Sequence, residues 1–467
     1  MPKDQFSPEI KSVIRRQFIL LAMTYTMCWL MSCYEWYFFW SFYLFIHSMS
    51  NIVVKTNTEL PIRDLFGAFF CLQYLIGPAL VYGVFADYQL ETYKMKLTSD
   101  EYFSFTLPAI LLFHIGLWIG EGKKGLVIDL EKVQNGLARV EKWAYSFLII
   151  GFVASLATPF FPTSLGFVFY LLGGVKYCAV FMLMLGRSKV PKTVLVLVFG
   201  GLLLSAFTQV MFHDLLTWVL FLAIFAAVRY KFAFSTKLLG LSIFIVLVLF
   251  LQLVKIFLRQ EIWKNNKEFS TEVLIDVTAT ASAEKKGIFS KESIAPNLVR
   301  INQGWIVTNV MTNVPRKVPH TNGDLMYMYF EAALLPRFIA PDKLRAGDPE
   351  IFIKYSGHMI DKGTSMGLSP MADGYVDFGW NGGIIFLGVY GLAYGLALRY
   401  YRRLSDKNAL WLIFIPLIFI YPIRPDCETQ TSFGHFVKAS FLLWLLFTLF
   451  FKNAVEVNTA VTDKPED

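Results

Sequence analysis

Apolar residues in this chain come in runs long enough to cross a lipid bilayer, separated by short clusters of charge. The runs stand near residues 18–46, 63–86, 102–120, 143–160, 164–185, 193–210, 213–228, 237–258, 376–397, 409–423 and 434–452. A bilayer core of about 30 Å takes about 20 helical residues, and with no water inside it each crossing segment must satisfy its own backbone groups as a helix. The pattern predicts an all-α polytopic integral membrane protein with about eleven transmembrane helices. The run 18–46 is too long for one upright helix and short for two at about 1.5 Å per residue. Folded as a tight hairpin, it raises the count to twelve.

Basic residues set the orientation. Arg187, Lys189 and Lys192, then Arg229, Lys231 and Lys237, then Arg399, Arg402, Arg403 and Lys407 fall on one side, which insertion bias makes cytoplasmic. Arg15 and Arg16 join them only if 18–46 is a hairpin. The Lys-rich segment 121–142 carries Leu126, Leu130, Val133, Leu137 and Val140 at helical spacing and is expected to lie along that interface. Residues 1–258 thus form an N-terminal helical part and 376–452 a C-terminal one, with 453–467 a short tail. Between them, 259–375 is one outer loop far longer than any other, and a loop of that length is usually functional. Its beginning, "TATASAEKKGIFSKES" (278–293), reads as loose. From Pro296 onward helical periodicity returns through Ile301, Trp305, Ile306, Val310 and Met311, so the loop is partly helical.

Composition agrees. Of 467 residues, 55% are apolar and 17% charged, and the mean hydropathy is +0.50. The formal charge of +8 follows from basic loops and does not call for nucleic acid. Cys28, Cys33, Cys71 and Cys178 lie in apolar runs and Cys427 near a loop, without the spacing of a metal site or a disulfide framework. The polar N-terminus lacks a small-residue cleavage site after the first apolar run, so that run is expected to be a retained anchor. No internal repeat is visible.

Candidate chemistry concentrates in the outer loop. Arg300, Arg316, Lys317 and His320 occur between Pro296 and His320 without a carboxylate. Such a field either rests on lipid phosphates or clamps a phosphate-bearing ligand, which guanidinium binds bidentately. "LPRFIAPDKLRAGDP" (335–349) adds Arg337, Lys343 and Arg345. "GTSMGLSPMADGYVDFGWNGG" (363–383) places Asp373 and Asp377 four apart at a helix start, where they either face a ligand or cap the helix. Gly379/Gly383 and Gly391/Gly395 are small-xxx-small pairs suited to helix packing. Lys176 and Glu35 are charges inside apolar runs, either functional or a packing pair. His47, His114 and His435 read as interfacial or satisfied core histidines.

The two loop stretches together resemble the signature of the Wzy-type O-antigen (oligosaccharide repeat-unit) polymerases. Pro336, Arg337, Phe338, Pro341, Asp342, Lys343, Thr364, Ser365, Tyr375, Phe378 and Gly379 match it. The chain departs from it with Asp373 where Glu is usual, Asp377 where Asn is frequent, Leu344 where a proline is common, and His213–Asp214 where a mid-chain Arg is common. The motifs cover about 50 residues, and the layout of one large outer loop before the last three helices extends the likeness. The resemblance implies a GT-C-like membrane glycosyltransferase of the bacterial inner membrane, its active site facing the periplasm. Its partners would be a polyprenyl-pyrophosphate-linked glycan donor and acceptor, the bilayer and a chain-length regulator, with no metal or cofactor. A departing pyrophosphate needs fixed cations, for which Arg337 and Arg316 lead. Arg424, between two prolines in "YPIRPDCE", follows, then Arg300, Lys343 and Arg345. An acceptor hydroxyl needs a base, for which Asp373 leads, with Glu331 and His320 behind it. Tyr375, Asp377, Phe378 and Gly379 complete the motif. An O-antigen ligase-like transferase and a lipid-linked oligosaccharide transporter or flippase are the alternatives.

Overall fold

The computed structural model describes residues 8–161, 165–188, 190–259, 261–262, 270, 272–273, 275–277, 291–335, 339–340, 342–361 and 365–451. Arg337, Pro336, Phe338, Pro341 and Thr364 of the motif stretches, residues 278–290 and the tail lie outside the described residues. The chain is a helical, membrane-embedded bundle. Nine of its helices are long and apolar enough to cross a membrane among the described residues, and the strands are two-residue pieces, Glu59–Leu60 paired antiparallel with Leu126–Val127.

The run 18–46 folds as a hairpin. Helices α1 (Pro8–Met31) and α2 (Trp36–Lys55) flank a turn that begins at Ser32, with φ 53. Glu35 is therefore an exposed residue at the start of α2, not a charge within a span. Arg16 donates to Ser50 near the far end of α2. Helix α3 (Ile62–Tyr82) has a π-helical turn at Leu72–Ile76. A wider turn releases backbone carbonyls from the regular ladder, and the Gln73 carbonyl accepts from the Gln303 amide at 3.0 Å.

Beyond α4 (Ser99–Glu121), the segment 121–142 departs from the interfacial expectation. Asp129 caps α5 (Leu130–Ala157) by accepting from the Lys132 amide at 3.2 Å, and the helix runs unbroken through the next apolar run. Val133, Leu137 and Val140 are buried in its first half; no proline interrupts 130–157, so the amphipathic and apolar stretches join. Next come α6 (Gly166–Leu185), α7 (Lys192–Thr208), α8 (His213–Tyr230) and α9 (Phe234–Arg259). The outer segment contributes α10 (Lys291–Ile301), α11 (Gly304–Asn313), α12 (Asp324–Leu334) and α13 (Pro349–Ser356). Then follow α14 (Pro370–Lys407), the short buried α15 (Trp411–Phe419) and α16 (Thr429–Phe450).

Basic loops gather on one face. Arg63 pairs with Glu121 at 2.7 Å, Arg402 donates to the Glu121 carbonyl at 3.0 Å, and Lys231 to the Asn57 carbonyl at 2.6 Å. The core is held by a seam between α4 and α14, which run parallel. A Cβ at Gly395 would stand 2.5 Å from the Leu117 carbonyl oxygen and one at Gly120 2.6 Å from the Leu392 oxygen. Only glycine allows that approach. Gly391 and Gly395 are thus packing residues, and Gly116 and Gly120 are the partners that sequence reading did not identify.

Candidate functional site

The site lies at the end of the bundle opposite the basic loops, where α14 is broken. Gly379, at φ 66 and ψ −159, divides it into a short piece, 370–378, and a long one, 380–407. Pro370 suits the first helical position, and Ser369 before it has φ 89, a strained value for a residue with a side chain. At Gly379 the chain folds back on itself, so Gly374 meets the Phe386 ring and Gly383 meets the Tyr375 amide. Residues Met371 to Asp377 are buried, whereas Phe378 and Trp380 on either side of the break are 43% and 39% exposed.

Both acids of this half-helix face inward. Asp377 caps α12, a helix more than 50 residues away, and not its own. Its carboxylate accepts from the Thr321 hydroxyl, from the Gly323 and Leu325 amides at 3.2 Å each, and from the Met326 amide at 2.9 Å. Three otherwise orphaned donors of a helix N-terminus are satisfied by one negative group, which also complements the helix dipole. Asp373 accepts from the Thr429 amide at 2.9 Å and from the Tyr329 hydroxyl at 3.3 Å, with no exposed surface. It therefore presents no open oxygen to a substrate.

The backbone bonds that accompany Asp377 hold His320. The Thr321 amide donates to the Val376 carbonyl at 3.2 Å and the Asn322 amide to the Asp377 carbonyl at 3.0 Å. The His320 Nδ1 lies 3.1 Å from the same Val376 oxygen. A carbonyl only accepts, so Nδ1 carries the proton and Nε2 has the lone pair. Nε2 has no hydrogen-bond partner among the described residues and lies 3.4 Å from where a Gly379 Cβ would be. The break in α14 thus places a residue without a side chain directly against Nε2.

The other candidate cations differ in their surroundings. Arg316 and Lys317 are exposed, on the segment that leads to His320. Arg300 is exposed at the end of α10, where its charge acts on Arg259 and Lys255 of α9. Lys343 is committed to the C-terminal end of α12, donating to the Ala332 carbonyl at 2.8 Å and to that of Leu335; this is a helix-capping use of a lysine. Arg345 is exposed, and Glu331 is half-buried on α12.

Arg424, expected as a pyrophosphate ligand, is already engaged by a carboxylate of its own loop. It forks onto Asp426, with Nη2 at 3.0 Å and Nε at 3.3 Å, and its Nη1 is 3.9 Å from Asp214. His213 Nε2 lies 3.0 Å from Asp214, so the His213–Asp214 pair and Arg424 belong to one cluster. Burial pushes the Asp426 carboxyl up, and the facing Arg424 more than offsets this, leaving it below the usual range. Asp426 thus occupies Nε and Nη2 of the guanidinium, whereas the buried Nη1 has no hydrogen-bond partner among the described residues. Lys176, the other charge singled out, donates to Ser155 at 2.6 Å where α5 and α6 cross. His435 is buried and bonded to the Leu417 carbonyl at 2.8 Å, and His114 to that of Ile110 at 2.8 Å.

Glu428 is the acid that sequence reading missed. Buried before α16, it accepts from the Gly347 amide at 2.6 Å and the Thr431 hydroxyl at 3.0 Å, and burial pushes its carboxyl up. With Gln430 donating to the Leu344 carbonyl at 3.1 Å, it ties down the segment carrying Lys343 and Arg345. Its only signal was an acid in "DCETQTS" just before an apolar run, the usual place for a helix-starting residue. Among the described residues no group of three or more His, Cys, Asp or Glu could hold a metal ion.

Comparison with protein families, with curated proteins and with solved structures finds no match for this chain.

Proposed function

We propose that this protein is a membrane glycosyltransferase that polymerises saccharide units carried on a polyprenyl pyrophosphate. In this reading twelve segments cross the membrane and the Gly379 break faces the periplasm. The observation that carries it is the pre-set His320: Nδ1 bonded to the Val376 carbonyl, Nε2 open beside a side-chain-free turn. The motif resemblance supplies the substrate class.

Nε2 takes the proton of an acceptor hydroxyl as its oxygen bonds to the donor's anomeric carbon. The bond from that carbon to the pyrophosphate oxygen breaks, and the electron pair leaves with the diphosphate. Arg316 and Lys317, exposed near His320, are suited to the developing charge. Arg337, outside the described residues, remains the first cation of the motif. The base role passes from Asp373 to His320 because Asp373 is enclosed by Thr429 and Tyr329, whereas a base must reach the proton it removes.

The test is electrophoresis of surface glycans from a deletion strain complemented with wild-type or His320→Gln protein. His320→Gln is expected to reduce long chains by about 100-fold or more at unchanged protein level, leaving acceptors with a single repeat unit. Full-length polymer from that variant removes His320 from the reaction. Uncapped acceptor in the deletion strain indicates a ligase, and accumulation of lipid-linked units on the cytoplasmic side indicates a flippase.

A further inference from the structure

The proton transfer above makes no use of the two aromatic rings that bracket Gly379. Phe378 and Trp380 are each held from one side and open on the other. Trp380 meets Phe105 edge-on at 5.4 Å between ring centres, Phe105 meets Tyr375 at 5.5 Å, and Tyr375 meets the His320 ring at 5.5 Å. Phe378 is braced by Phe386 at 5.8 Å and by the backbone at Gly323. His320 is therefore linked to Trp380 through Tyr375 and Phe105, and Gly379, next to Trp380 in the chain, lies against the His320 ring.

Rings fixed from behind lose little freedom when something lies on them, and they offer area without charge. The acids nearby add no charge either, since Asp377 and Asp373 are turned into the protein. The surface around Gly379 thus offers two part-exposed rings, Phe378 and Trp380, and one ring nitrogen without a hydrogen-bond partner among the described residues, the Nε2 of His320. A pyranose matches that set: one face of its ring presents C–H groups and its rim presents hydroxyls. Aromatic residues also anchor helix ends in the headgroup layer, and Trp36 and Trp118, exposed at the ends of α2 and α4, have the look of such anchors. Phe378 and Trp380 differ in straddling a broken helix beside an open imidazole.

We propose that Phe378 and Trp380 form a saccharide-binding cradle, in which the acceptor sugar stacks on Trp380 with one hydroxyl directed at Nε2 of His320. The proposal rests on the glycosyl-transfer reading for the role of that hydroxyl, and on the rings alone for the binding.

The experiment uses full-length protein in lipid nanodiscs and, as probe, the lipid-linked glycan extracted from a strain lacking this gene. Glycan extension is measured for wild type, Phe378→Ala, Trp380→Ala, Trp380→Phe and His320→Gln. Trp380→Ala is expected to raise KM by about 10-fold with kcat within about threefold, Trp380→Phe to recover most of the loss, and His320→Gln to lower kcat instead. Unchanged KM in both alanine variants overturns the cradle. So does a loss that tracks melting temperature, which marks the rings as membrane anchors. Should wild type not extend the probe, the transfer reading fails by itself. Saturation-transfer NMR with the oligosaccharide released from the probe then decides the cradle. Ring C–H signals that vanish in Trp380→Ala uphold it, and their absence from wild type overturns it.

Discussion

Two polar clusters lie at the same end of the bundle, and they treat their charges in opposite ways. Around Arg424 opposite charges face one another: Asp426 forks onto the guanidinium, Asp214 sits within ion-pair range, and His213 lies against Asp214. Around Gly379 the acids are occupied by backbone amides and two hydroxyls, so the neighbouring imidazole and the exposed Arg316 and Lys317 are not drawn into pairs with them. The first arrangement fixes α8 to the α15–α16 connection. The second leaves His320, Arg316 and Lys317 outside any ion pair among the described residues. A charged residue near a membrane surface is thus informative through its partner, more than through its presence.

The comparison can be broken by removing the partner. Asp377→Ala has the largest expected effect, because it strands the amides of Gly323, Leu325 and Met326. At about 1–3 kcal/mol for each buried donor left unmatched, the loss is about 3 kcal/mol or more. His320 also loses its seat, so thermal unfolding in detergent and chain extension should fall together. Arg424→Ala should cost about 2 kcal/mol, less than a fully buried pair because Asp426 and Asp214 keep some exposure. Under the proposed transfer reaction, the protein that remains folded should still extend glycan chains. If Arg424→Ala were stable yet unable to extend chains, Arg424 would belong to the site after all.

Glu428→Gln tests the smallest effect. Burial holds the Glu428 carboxyl above its ordinary 4.5. A raised acid contributes stability that is present below the ordinary value and lost as pH rises through the native one. Glutamine keeps an acceptor for the Gly347 amide without the charge. The variant should melt about 1–2 °C above wild type at pH 8, with the gap closing toward pH 4.5. A gap that widens on acidification would mean that the carboxylate stabilises the segment through its charge.

Much of the fold was legible because a crossing helix is a local property, readable from about 20 consecutive residues. The hairpin in 18–46 was ambiguous because Cys33 and Tyr34 keep its turn apolar, leaving only Ser32 and Glu35 as signals. The merger of 130–142 into α5 was hidden because amphipathicity looks the same in an interfacial helix and in the first turns of a crossing one. The site was harder still. Gly379 and Pro370 were visible as letters, but the reversal between two halves of α14 depends on a positive φ and on Gly374 fitting under Phe386. Asp377 was read as a candidate cap for its own helix, and its actual partner, α12, lies at no fixed spacing. Arg424 had Asp426 two residues away, in plain sight, and Asp214 210 residues away, out of reach of any local pattern.

The glycine seam between α4 and α14 bears on how this bundle can move. A carrier that shows its cargo to one side of the membrane and then to the other must rock or slide its central helices past one another. Carbonyl oxygens seated in the hollows of Gly116, Gly120, Gly391 and Gly395 leave these two helices no slack for such travel, since a shift of one residue would drive an oxygen into a neighbouring side chain. The half-helix before Gly379 is therefore carried on a helix that cannot slip along α4 without such a clash.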